Sequence, residues 1–160
     1  MLVGMLVSGA ARADRTIPSV LFVSKSENKN QVHYGVRLDD QCAFVGSAPV
    51  YPYWRMLERG PNDTEPLLDR EQRAYGIERQ EIRGDTVRVT LRALPDRPIT
   101  VRVARATDGA CTAIAETTIS GRAARLFNVH VALGFLRVDH LVLQGWAERD
   151  GAVMRERIER

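Results

Sequence analysis

The sequence is nearly devoid of lysine. Lys25 and Lys29 are the only two among 23 basic residues, so almost all the positive charge is arginine, a planar fork of donors suited to carboxylates and phosphates. With 20 acidic residues the net charge is only +3, which lacks the strong basic footprint of a nucleic-acid binder, and no nucleic acid is expected as a partner. Histidine is scarce too: His33, His130 and His140 stand at no metal-ligand spacing, so neither a metal nor another cofactor is expected. The chain has no Gly-x-Ser-x-Gly elbow, no P-loop and no dinucleotide-binding glycine pattern, and no catalytic residue can be assigned. Aromatics are only 6% of the chain, and no apolar run reaches the roughly 20 residues of a membrane-spanning helix. No integral membrane span is therefore expected. What remains is an ordinary globular composition, 44% hydrophobic and 27% charged, of a length suited to one domain.

The start of the chain suggests a compartment. Residues 1–10 form a short apolar run leading into Ala11-Arg12-Ala13, a small-x-small cleavage pattern followed by polar chain. This reads as a secretory signal peptide over residues 1–13, truncated at its start because the basic leading region is missing. Residues 14–160 are then a single exported domain, periplasmic or secreted. The only two cysteines, Cys42 and Cys111, lie 69 positions apart. In an oxidising compartment a pair of this kind is expected to form a disulfide, worth ~4 kcal/mol through loop closure.

After residue 18 the pattern alternates with period two. Val32, Tyr34, Val36 and Leu38 oppose Gln31, His33, Gly35 and Arg37; Val87, Val89 and Leu91 oppose Arg88, Thr90 and Arg92; Ile99, Val101 and Val103 oppose Thr100 and Arg102. Phe127, Val129, Val131 and Leu133 are expected to share a face, as are Leu136, Val138 and Val142. Such alternation marks half-buried strands. Gly84-Asp85, Pro95-Asp96-Arg97-Pro98, Asp108-Gly109, Gly121, Gly134 and Asp150-Gly151 punctuate the runs as turns. One short helix is expected over 66–75, with Thr64 as its cap. The fold class is all-β and mainly antiparallel: a barrel-like meander or a β-sandwich with one short helix.

Two stretches stand apart from this patterning. The first, Ser24 to Asn30, is rich in hydroxyls and amides that can close a loop or contact a ligand. The second, Tyr51-Pro52-Tyr53-Trp54-Arg55, holds three of the ten aromatics beside an arginine, which suits packing or recognition. Phe22, Lys25-Ser26-Glu27-Asn28-Lys29-Asn30, Val32-His33-Tyr34, Pro49-Val50 with Trp54, Glu58 with Gly60, and Ala74-Tyr75-Gly76 together resemble the bacterial family catalogued as domain of unknown function 4833. The match is clearest over residues 20–80. That family carries no assigned activity, so the resemblance transfers no catalytic residue.

The function expected from the residues is non-enzymatic binding of a small molecule or glycan in the cell envelope. The candidate contacts are Ser26, Asn28, Asn30, Tyr34, Tyr53, Trp54, Arg55 and Tyr75, with Tyr34, Tyr53, Trp54 and Tyr75 lining a common pocket. A protein–protein interaction module of the envelope is the alternative, and a hydrolase ranks below both for want of a nucleophile–base pair. Arg88, Arg92 and Arg102 are expected to form a basic stripe that could meet an anionic envelope component, or simply solvate the back of a sheet.

Overall fold

The computed structural model describes residues 15–160; the expected signal peptide, residues 1–13, lies outside the described residues. Eleven strands and one helix follow in chain order: β1 (Arg15–Lys25), β2 (Gln31–Leu38), β3 (Val50–Arg55), β4 (Thr64–Glu65), α1 (Asp69–Tyr75), β5 (Ile77–Arg83), β6 (Thr86–Leu91), β7 (Leu94–Arg105), β8 (Cys111–Ile119), β9 (Arg122–Leu133), β10 (Val138–Ala147) and β11 (Val153–Glu159). All strands belong to one sheet, ordered β4-β3-β2-β1-β9-β8-β7-β6-β5, with β10 and β11 continuing from the other side of β9. Every pairing is antiparallel except β1 with β9. The chain is all-β with one short helix, as the alternation predicts.

The sheet curls until β5 lies beside β3, but no main-chain ladder joins them. Instead the Gln80 side-chain amide docks on Val50: its Oε1 accepts from the Val50 N–H at 3.0 Å and its Nε2 donates to the Val50 carbonyl at 2.8 Å. An amide side chain presents the same donor–acceptor pair as a peptide unit, so Gln80 stands in for one rung of the missing ladder. The concave side holds the core, including Val23, Val32, Tyr34, Val36, Leu38, Val87, Leu91, Ile99, Ile119, Val129 and Leu143, all fully buried. Cys42 and Cys111 form a disulfide with Cα atoms 5.4 Å apart, tying the connection after β2 to the start of β8. No helix among the described residues is long and apolar enough to cross a membrane.

Several local expectations are corrected. The expected turn Pro95–Pro98 lies inside β7, and the hairpin turns instead at Arg92–Ala93 between paired Leu91 and Leu94. Pro95 and Pro98 are tolerated because β8 pairs with β7 only from Thr100 onward and the β6 ladder passes from Leu94 to Ile99 through a register shift, so neither partner calls on their missing N–H groups. Thr64 does not cap the helix; it sits in β4, and the N-cap is Leu68, whose N–H is bonded by Glu71. In β9 the alternation changes phase: Leu126 and Val129 both face the core, and Phe127 packs outside against Trp146, ring centroids 4.4 Å apart. A register shift against β10 at Gln144–Gly145 absorbs the extra residue. A second shift at Val138–His140 puts Leu141 and Leu143 inside, where Val142 was expected, and leaves Leu136 exposed in the turn.

Candidate functional site

The Ser24–Asn30 loop, the end of β3 and the first turn of α1 meet at one end of the barrel. There Lys25, Asn28, Asn30, Trp54, Met56, Glu65 and Glu71 line a cavity of about 190 Å³. The loop owes its shape to its amides. Asn28 Oδ1 accepts from the Asn30 N–H at 3.0 Å, and Asn30 Oδ1 accepts from the Glu58 N–H at 3.1 Å, clamping the turn after β3. Local amide bonding of this kind closes loops that carry no strand ladder. Both Nδ2 groups are left without a partner among the described residues.

Trp54 forms the floor. Its indole is buried, its ring edge meets Tyr75 at 5.8 Å, and the Lys25 ammonium lies 4.7 Å from its ring centroid. Lys25 also pairs with Glu27 at 3.6 Å. The Trp54 Nε1–H is buried with no hydrogen-bond partner among the described residues. A buried donor left unpaired costs about 1–3 kcal/mol, so such a group calls for an explanation. The Glu71 carboxyl is the acceptor it faces. Burial would raise the Glu71 pKa, but the Leu68 N–H, the nearby Trp54 indole, Arg70 and Lys25 outweigh it and hold the carboxyl below the usual range. Glu65 is already engaged by Arg59. The cavity therefore combines donors on Lys25 and the two asparagines with acceptors on the Glu65 and Glu71 side chains.

The expected common pocket of Tyr34, Tyr53, Trp54 and Tyr75 does not form. Tyr34 is wholly inside the core, its hydroxyl donating to the Tyr75 carbonyl at 2.7 Å, and burial followed by the nearby Tyr75 phenol pushes its pKa upward. Tyr75 packs on Trp54 but faces a neighbouring cavity. Tyr53 and Arg55 alternate with Trp54 along β3 and therefore leave on the opposite face, where Tyr53 donates to the Pro18 carbonyl at 2.5 Å and Arg55 to the Pro61 carbonyl at 2.9 Å. Ser26 lies across the loop from the cavity and accepts from the Leu133 N–H at 2.9 Å. Of the eight candidates, Asn28, Asn30 and Trp54 come together; Lys25, Glu65 and Glu71 complete the group and were missed. Lys25 could have been suspected from its place in the Lys-Ser-x-Asn-x-Asn run, but no local pattern links Glu71 to Trp54.

Arg88 and Arg102 share the exposed face of the β6–β7 hairpin, as expected, but Arg92 falls in the turn beyond β6, at the cavity beside Tyr75. Arg102 is engaged by Glu116 at 3.0 Å and Asp85 at 3.8 Å, and Arg88 stands opposite Glu81.

The convex face of the sheet carries two serine–histidine contacts that the sequence does not disclose. Ser24 Oγ is 2.8 Å from His130 Nδ1 and 3.1 Å from Asn128 Oδ1. Asn128 donates through Nδ2 to Gln144 at 2.8 Å. Ser24, Asn128, His130 and Gln144 thus form a polar ladder across β1, β9 and β10. His33 is held by Ser19 at 2.8 Å and Gln31 at 2.9 Å and stacks on Phe22 at 5.1 Å. Burial, then the Arg55 charge, lower its pKa to about 4, so it is neutral at physiological pH. Among the described residues no group of His, Cys, Asp and Glu side chains is arranged to hold a metal ion.

No curated protein and no solved structure matches the chain. The family profile described as domain of unknown function DUF4833 matches residues 21–157, nearly the whole domain and well beyond the region where the resemblance is clearest by eye. The Lys-Ser-x-Asn-x-Asn run, Trp54 and the Ala-Tyr-Gly segment converge on one end of the barrel, and the chain belongs to the DUF4833 family.

Proposed function

We propose that the domain is a non-enzymatic binding protein for a small polyhydroxylated ligand, a glycan unit or related polyol, taken in the cavity between Lys25, Asn28, Trp54 and Glu71. The single observation that carries this reading is the convergence of the Lys25 ammonium, the Asn28 and Asn30 amides and the Glu65 and Glu71 carboxylates on one cavity beside the Trp54 ring. A hydroxyl donates and accepts at once, so a polyol can serve both the ammonium and amide donors and the two carboxylates. A ligand anion would meet Glu65 and Glu71, which disfavours an acidic sugar at this position. At about 190 Å³ the cavity is below the roughly 300–1,000 Å³ of drug-sized sites, which suits a single ring with the remainder in solvent.

Export to an oxidising compartment, the periplasm or the medium, is part of the same proposal. It is supported by the Cys42–Cys111 disulfide, since such bonds persist outside the reducing cytosol, and by the apolar run ending in Ala11-Arg12-Ala13.

The test is a titration of Trp54 fluorescence in a Trp146→Phe background with neutral mono- and disaccharides. A saturable change with at least one sugar, weakened tenfold or more by Asn28→Ala and by Glu71→Gln, is expected. A flat response across the panel, together with native mass spectra of protein from its source showing no bound molecule, would overturn the proposal.

A further inference from the structure

The β9–β10 hairpin ends in a tip that a water-facing turn does not need. Phe135 and Leu136 are 92% and 91% exposed, consecutive, and flanked by Gly134 and Arg137. The turn is held by the Gly134 N–H donating to the Arg137 carbonyl at 2.9 Å, and its base by the Ser26 hydroxyl on the Leu133 N–H. Leu136 adopts φ +67°, a left-handed conformation that a leucine seldom takes and that is found where a site has a use for it. Two large side chains thus project from a tied-down hairpin into solvent.

Behind the tip lie two adjoining cavities. Ser26, Glu27, Leu136 and Arg137 line one of about 610 Å³, and Val138 is shared with another of about 340 Å³. The second has an apolar floor of Ala93, Val131, Val138 and Leu141 under a rim of Arg73, Arg92 and Arg160. Arg160 is engaged by Asp96 at 3.1 Å. Arg73 and Arg92 make no side-chain hydrogen bond or ion pair among the described residues, and Arg137 has Asp139 nearby. An exposed apolar tip beside two uncommitted guanidinium groups matches the two layers of one particular surface, an apolar interior under an anionic phosphate plane.

We propose that this end of the barrel docks on an anionic phospholipid bilayer. Phe135 and Leu136 enter the acyl region, Arg73, Arg92 and Arg137 meet lipid phosphates, and the apolar-floored cavity accommodates part of an acyl chain. Anionic lipid supplies both halves of the match, whereas a soluble acidic protein would leave the phenyl and isobutyl groups in water. The inference does not depend on the ligand of the Trp54 cavity.

Flotation of the full chain with phosphatidylcholine vesicles, with and without phosphatidylglycerol, tests it. Binding is expected only when phosphatidylglycerol is present, falling with added salt because the arginine contacts are screened. Phe135→Ser with Leu136→Ser should reduce the bound fraction at least tenfold, as should Arg73→Ser with Arg92→Ser. All four residues lie at the surface, and an unchanged thermal midpoint shows that the fold is kept. Phe135→Trp should show blue-shifted emission on phosphatidylglycerol vesicles. Absence of vesicle binding, binding indifferent to the Phe135 and Leu136 substitutions, or full competition by soluble glycerol phosphate, the mark of a free phosphate site, would each overturn the proposal. So would capture of an acidic protein that Phe135→Ser with Leu136→Ser leaves intact, in vesicle-free solution.

Discussion

Replacing Gln80 probes how an open sheet is held shut. Gln80→Leu keeps similar bulk and removes both contacts to Val50, whose backbone lies at a residue only 3% exposed. Two neutral hydrogen bonds contribute roughly 0.5–1.5 kcal/mol each, and leaving the buried N–H and carbonyl unpaired adds to the loss, giving about 3 kcal/mol. With a urea slope of roughly 2 kcal/mol/M for a domain of this size, the unfolding midpoint should fall by about 1.5 M. Gln80→Glu sharpens the test. At neutral pH the introduced carboxylate can still accept from the Val50 N–H, but it faces the Val50 carbonyl with a second acceptor and is destabilising. Protonation restores a donor. Repulsion raises the folded-state pKa of that carboxyl above its unfolded value of about 4.3, so the stabilising form is present below that value and is lost as pH rises through the folded pKa. Relative to the native protein measured at the same pH, the variant should therefore recover on acidification while Gln80→Leu does not. A stability change under about 0.5 kcal/mol for Gln80→Leu, or no acid recovery for Gln80→Glu, would refute side-chain closure.

Three further outcomes follow from the packing. Cys42→Ser with Cys111→Ser opens a loop spanning 69 positions and should cost about 4 kcal/mol in urea unfolding, with an increased slope as the unfolded chain expands. The His33 imidazole should titrate near pH 4 by nuclear magnetic resonance; because its folded pKa is below its unfolded value of about 6.5, stability should decline as pH falls from there and level off near 4, by less than about 1.4 kcal/mol per pH unit. Gly145→Ala should be costlier than Gly35→Ala in thermal unfolding. At Gly145 a Cβ would strike the Arg125 carbonyl and come within 2.7 Å of Ile119, and a main chain cannot step aside. At Gly35 it meets the Tyr51 ring at 2.6 Å, which can swing out at the expense of its stack with Arg37. Roughly 1–3 kcal/mol is expected for the former.

The all-β character and the buried face of β2, β6 and most of β7 were legible in the sequence, because a pleated strand exposes successive residues on opposite sides and each alternation is a local property. Where the pattern misled, in β9 and β10, an extra residue was absorbed by a register shift, which depends on the partner strand and has no local signature. The cysteine pair and the family resemblance were readable for the same reason: composition and spaced identities survive without coordinates. The candidate site was half visible. Asn28, Asn30 and Trp54 lie in the two unusual stretches, but Tyr53 and Arg55 were drawn in by nearness in sequence, although on a strand adjacent residues point apart. Chain order decided which residues alternate and cluster; the curl of the sheet alone decided that Glu71 of α1 would face Trp54 of β3, that Gln80 would bridge to Val50, and that two arginines would stand beside a bare Phe-Leu tip, since through-space contact across a closed surface depends on register and curvature summed over every strand.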